Sequence, residues 1–190
     1  MELETKYLIY LEKRWRENKT PFTPLHWGPS SWIGLILFKI FDFPTLLISC
    51  VIVDVEPFCV FVFNAPWPLH GFLHTFLGGS IVAIITAIIL YFLKKPIKKL
   101  MSIFKLSQDS SFKKIILTSF FGVFSHILLD AFLYEEMNPF YPFKGNPFLG
   151  LFSSFNVYLF CTISFLIGVL IYLIRLSLIR KNLDNENQKY

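Results

Sequence analysis

Four histidines, and three acids embedded in apolar stretches, are the residues of this chain whose types and spacing suit chemistry. His26, His70, His74 and His126 each stand beside a break or near a predicted helix end. His70 and His74 are four apart, which on a helix brings both imidazoles out of one face about 6 Å apart. His126 and Asp130 repeat that spacing in SHILLD, and Asp54 and Glu56 stand in VDVEP. An ionised carboxylate within a membrane helix is costly unless it is paired, solvated or coordinated. No Lys or Arg stands in these runs to pair with Asp54, Glu56 or Asp130. A divalent cation removes that cost directly, and a mixture of imidazole nitrogen and carboxylate oxygen suits zinc, or less selectively manganese or iron.

The donors outnumber those of one tetrahedral site, so they fit either two ions or one ion with a general base and supporting partners. His26, Asp54, His70, His126 and Asp130 are the expected ligands, and His74 is a further ligand or a partner of one. Glu56 is the expected catalytic base, taking a proton from metal-bound water. Glu135 and Glu136 read as solvated loop carboxylates. The phenylalanine runs read as core or lipid-facing surface.

The elements that must position these donors are apolar helices. The chain has 190 residues, 54% hydrophobic and 16% charged. A soluble domain carries about 25% charged residues spread over its surface. Here the charges gather in the first twenty residues, a central Lys-rich stretch and the C-terminal tail, with long runs nearly bare between them. Five apolar stretches follow one another: 31–41, 44–63, 75–93, 115–133 and 151–174. The first is short of the roughly twenty residues a spanning helix needs. The expected fold is all-α, a polytopic membrane bundle of four to five transmembrane or re-entrant helices. Residues 1–20 read as an amphipathic surface segment, 21–178 as the membrane helical domain, and 179–190 as a polar cytoplasmic tail.

Charge bias orients the bundle. Residues 94–114 hold seven lysines against one aspartate, which places that stretch, with Arg180 and Lys181, on the cytoplasmic side. The NAPWPLH turn and the aromatic NPFYPF segment then fall on the other side of a cell (inner) membrane, and the histidines and acids converge there. Lysines clustered between apolar runs exclude a nucleic-acid partner, and membrane lipid is the partner the pattern favours. Cys50, Cys59 and Cys161 lie in apolar runs without paired spacing and read as buried hydrophobes.

Five segments, TPLHWGP (His26), VDVEP (Asp54, Glu56), LHGFLHT (His70, His74), SHILLDAF (His126, Asp130) and NPFYPF, occur in that order over roughly residues 23–148. In this the chain resembles the YdjM-like family of membrane-bound, metal-dependent hydrolases. Gly71 stands where that family carries an Arg after the first His of the pair. The resemblance implies hydrolysis, and a site at headgroup level suits a phosphoester or ester of a lipid or lipid-linked substrate. Two other readings use the same residues: a metal or proton transporter, and a non-catalytic membrane protein with a structural metal site.

Overall fold

The computed structural model describes residues 24–63, 65 and 67–187, so the expected surface segment at 1–20 lies outside the described residues. Among these residues the chain is all-helical: α1 (Trp27–Ile36), α2 (Phe43–Ser49), α3 (Val55–Val62), α4 (Phe76–Phe92), α5 (Lys94–Ile103), α6 (Phe112–Ala131) and α7 (Ser154–Asn187). Single 3-10 turns at Pro24–His26, Ile52–Asp54 and Phe72–His74 precede α1, α3 and α4. Three stretches are long and apolar enough to cross a membrane: Phe43–Val62, Phe112–Ala131 and Ser154–Asn182. A fourth is α4 with α5, if that pair, bent by 75°, counts as one span.

Helix starts follow local chemistry. The Thr75 hydroxyl accepts from the Gly78 N–H and opens α4, the Ser111 hydroxyl does the same for Lys114 in α6, and the Asp42 carboxylate caps α2 through the Thr45 N–H. In both α1 and α3 the third residue is a proline, Pro29 and Pro57. Proline fits the first turn but not a helix interior, so neither helix can extend backward through it. The apolar run at 44–63, expected as one interrupted helix, is therefore divided into α2, a 3-10 turn and α3. The Lys-rich stretch expected as a loop contains α5, and α7 continues through most of the expected polar tail.

The packing is inside-out relative to a water-soluble bundle. On α4 the buried residues are Gly78, Gly79, Ala83, Thr86, Ala87 and Leu90, whereas Ile81, Ile84, Ile85, Ile88 and Ile89 are exposed. Small residues facing inward let backbones approach, and large aliphatics facing outward belong against lipid. α4 packs on α6, α2 on α6, and α1 along α7. The Ser49 hydroxyl donates to Ser119, whose own hydroxyl donates to the Ala83 carbonyl, tying α2, α6 and α4 together at 3.1 and 2.8 Å. Val53, Val123, Ile127, Ala131 and Met137 form a fully buried cluster with Ala83. Asp54, His126 and Asp130 are sequence neighbours of that cluster, so the core that welds α4 to α6 also fixes the site.

The α1 and α7 backbones come close at Gly28, where a Cβ would enter the van der Waals shell of the Cys161 carbonyl oxygen. At Gly122 on α6 a Cβ would meet Ser49 and the Cys50 backbone of α2. Backbone cannot yield as a side-chain tip can, so Gly28→Ala is expected to cost about 1–3 kcal/mol, read as a lowered melting temperature of the full chain in detergent. Gly145→Ala, in open space but at a positive φ, tests local strain separately and leaves the α1–α7 contact intact.

Candidate metal centre

The ends of the three 3-10 turns and the end of α6 meet at one place. His126 and Asp130 are one turn apart on α6, with Nε2 of the histidine 3.0 Å from Oδ2 of the aspartate. Asp54 closes the Ile52–Asp54 turn, three residues before Pro57, and His26 closes the Pro24–His26 turn, three residues before Pro29. Each is thus delivered by the break that its proline imposes. His74 closes the turn before α4, and its neighbour Thr75 caps that helix. The His70–His74 segment is not α-helical, contrary to the one-face expectation. The two rings nevertheless lie 4.8 Å apart, at 87° to one another.

Asp54, His74, His126 and Asp130 each offer one atom to a group in which all four lie within 4.8 Å of one another. The histidine–carboxylate separations are 3.0 Å (His126–Asp130), 3.3 Å (His126–Asp54) and 3.8 Å (His74 to Asp54 and to Asp130). Four ligands about 2.0–2.1 Å from a tetrahedral ion stand about 3.3 Å from each other. The cluster already has nearly those dimensions.

Hydrogen bonds around the cluster set the imidazole tautomers. Nδ1 of His126 lies 2.7 Å from the Cys50 carbonyl oxygen, which only accepts, so that nitrogen carries the proton. Nδ1 of His74 donates to Glu56 Oε2 at 2.8 Å, and Nδ1 of His70 donates to Glu136 Oε1 at 2.8 Å. In each case the lone pair is left on Nε2, aimed inward. Nε2 of His74, Nε2 of His126 and Oδ1 of Asp130 are buried and make no hydrogen bond. Unsatisfied polar atoms of this kind are rare in a packed interior. Two such imidazole nitrogens facing the Asp130 carboxylate are what a cation requires, and histidines that ligate metals hold their other nitrogen in this way.

His26 and His70 stand next to this group. Nε2 of His26 is 3.3 Å from Asp130 Oδ1, and Nε2 of His70 is 3.9 Å from Asp130 Oδ2. Burial, with the His126 imidazole at 2.9 Å, pushes the His26 pKa down to about 4, so this ring is neutral at pH 7. Burial opposes protonation of His74 too, but the nearby Asp54 and Glu56 carboxylates outweigh it and raise its proton affinity. The carboxylates at the centre therefore draw positive charge, as a proton or as a metal ion.

Glu56, expected as the base, has both oxygens engaged. Oε2 accepts from the Gly71 N–H and from His74, and Oε1 accepts from the Leu73 N–H. It holds the turn that carries His70 and His74. Glu136, read from the sequence as solvated, is 38% exposed yet paired with His70. Burial opposes its ionisation, but the His70 hydrogen bond prevails and lowers its pKa. Tyr134 stacks on the His70 ring, 3.8 Å between centroids and 16° between planes. Both were missed. Their one sequence signal is an aromatic and an acid within six residues after Asp130.

A helical membrane protein with a buried histidine–aspartate cluster able to hold a metal ion is the class that this fold and site define. The chain belongs to the YdjM inner membrane protein family, whose sequence profile matches residues 40–183. That range contains the four innermost donors and leaves His26 outside it. No curated protein and no solved structure matches the chain.

Elemental analysis of the full chain purified in detergent is expected to find about one equivalent of a divalent metal or more, and none after His126→Ala or Asp130→Ala. Glu56→Gln, which weakens the support of His74 and of the turn that carries it, is expected to weaken metal affinity roughly 10–100-fold, measured by competition with a chelating dye.

Proposed function

We infer that this chain is an integral membrane, metal-dependent hydrolase that cleaves a phosphoester or ester of a membrane lipid at the non-cytoplasmic face. The carrying observation is the convergence on Asp54 and Asp130 of the His74 and His126 Nε2 atoms, which make no hydrogen bond. These four residues hold the ion, and the mixed imidazole–carboxylate set favours zinc. A divalent ion bound there supplies Lewis acidity and makes a nucleophile available from water at neutral pH.

The protein's own groups supply the rest. Glu56 orients His74. His70 keeps its Nδ1 proton on Glu136 and presents a bare Nε2 toward the centre, the arrangement of a general base whose imidazolium form a carboxylate stabilises. Tyr134, stacked on the ring, restrains its rotation. In this reading the proton passes to His70 Nε2, and His26 borders the far side of Asp130.

The surroundings favour a lipid. Asp54 is the most exposed of the four innermost donors, with 20% of its side chain accessible, and α3 begins directly after it. That helix and its end expose Phe58, Phe61 and Phe63. Between the two histidines of the turn, Phe72 is exposed as well and meets exposed Tyr141 edge to face. The accessible Asp54 is thus followed along the chain by exposed aromatic side chains of the kind that sit at headgroup level.

The test is turnover of phosphomonoester and phosphodiester lipids and of acyl esters in mixed micelles, followed by released phosphate, headgroup or fatty acid. Metal-dependent release is expected, falling at least roughly 100-fold in His70→Asn and Glu136→Gln while metal content stays at the wild-type level. Loss of metal from His70→Asn would instead make His70 a ligand. Stoichiometric metal with no turnover of any lipid, together with metal flux into proteoliposomes, would replace the hydrolase by a transporter.

A further inference from the structure

The end of the bundle remote from the metal centre carries a second built feature. α4 spans 17 residues, about 25 Å at the rise of an α-helix, and at Leu93 the chain turns by 75° into α5. Four of the ten residues of α5 are lysine, and none of the ten is buried. Ile97, Leu100, Met101 and Phe104 recur at spacings of three and four, with Lys94, Lys95, Lys98 and Lys99 between or before them. A short helix of that pattern, set across the end of a membrane-length helix, belongs in the plane of the interface.

Between α5 and the start of α6 lies a cavity of about 500 Å³. Lys94, Lys95, Lys98, Ser110 and Ser111 line it, and Leu90 and Ile97 make the lining partly apolar. The acids that also border it are engaged. Asp42 accepts from the Thr45 N–H, the Thr45 hydroxyl and the Ser110 hydroxyl, and Asp109 pairs with Lys98. Lys94 lies over the Tyr91 ring, and neither Lys94 nor Lys95 forms an ion pair among the described residues. With three lysines against two aspartates, and Lys98 paired with Asp109, the lining carries a net charge of +1 beside apolar surface, at the end of helices long enough to cross a membrane.

We propose that this cavity binds the phosphate headgroup of an anionic phospholipid, with the lysines on the phosphate and the acyl chains beside the apolar side chains of α4 and α5. Charge complementarity selects an anion, and the apolar walls select a lipid over a free ion. Ile103 and Leu100, exposed on the same short helix, continue that apolar surface outward.

The full chain in neutral detergent is titrated with dioleoyl phosphatidylglycerol, dioleoyl phosphatidylcholine or glycerol 3-phosphate, and bound lipid is counted by native mass spectrometry. A saturable phosphatidylglycerol adduct is expected, weakened roughly tenfold or more in the triple variant Lys94→Gln/Lys95→Gln/Lys98→Gln. Lys99→Gln/Lys105→Gln, which removes charge from the same region but not from the cavity, should leave it unchanged. The triple Lys→Arg variant at 94, 95 and 98 keeps the charge and must keep the adduct. Its loss there overturns the proposal, whether or not the glutamine variant folds. Equal binding of phosphatidylcholine, equal weakening by the two control substitutions, or full competition by glycerol 3-phosphate would overturn it as well. Metal content is unaffected by all of these variants, so this result and that of the metal centre stand independently.

Discussion

Asp130 lies almost fully buried in the last turn of a helix long enough to cross a membrane, and its ion-pair partners among the described residues are all histidines. A buried carboxylate in that position must be met by positive charge or it will not stay there. The geometry around it answers that constraint: His26, His70, His74 and His126 all direct Nε2 toward it. The arrangement of the surrounding chain is consistent with keeping those rings in place. The proline-enforced starts of α1 and α3 bring His26 and Asp54 in, and the Glu56-held turn brings His70 and His74.

That convergence requires the helices to be very close. The small inward residues of α4 and the glycine contacts of α6 with α2 and of α1 with α7 draw the helices together, and the serine chain from Ser49 to Ala83 fixes their register. The loop after α6 closes the same end. Asn146 donates to the carbonyls of Ala131 and Tyr134, and the Phe76 N–H at the start of α4 donates to the Pro139 carbonyl. Glu136 and Tyr134 owe their places against His70 to this folding back of the loop.

Much of the outline was legible in the sequence because it rests on patterns that local composition carries. Bare apolar runs and segregated lysines marked a membrane bundle, and acids without basic neighbours marked a need for a cation. The His126–Asp130 pair was readable because it lies within one regular helix. Other parts depend on contacts between distant segments. Nothing near His74 distinguishes an inner donor from a supporting one, since the difference arises from a non-helical turn held by Glu56. Glu136 looks solvated until the loop brings it to His70. The Cys50 carbonyl that sets the His126 tautomer is backbone, and no residue type announces it. The division of 44–63 was foreshadowed by Pro57, but a hydropathy reading favours length over the local break.

The breaks that present Asp54 and His26 also bear on how the protein is made. Asp54 emerges from the ribosome long before His126 and Asp130, so this acid is made before two of the residues it meets in the finished centre. The centre is complete only once α6 stands beside the earlier turn, so assembly of the site and packing of the two halves of the chain depend on one contact.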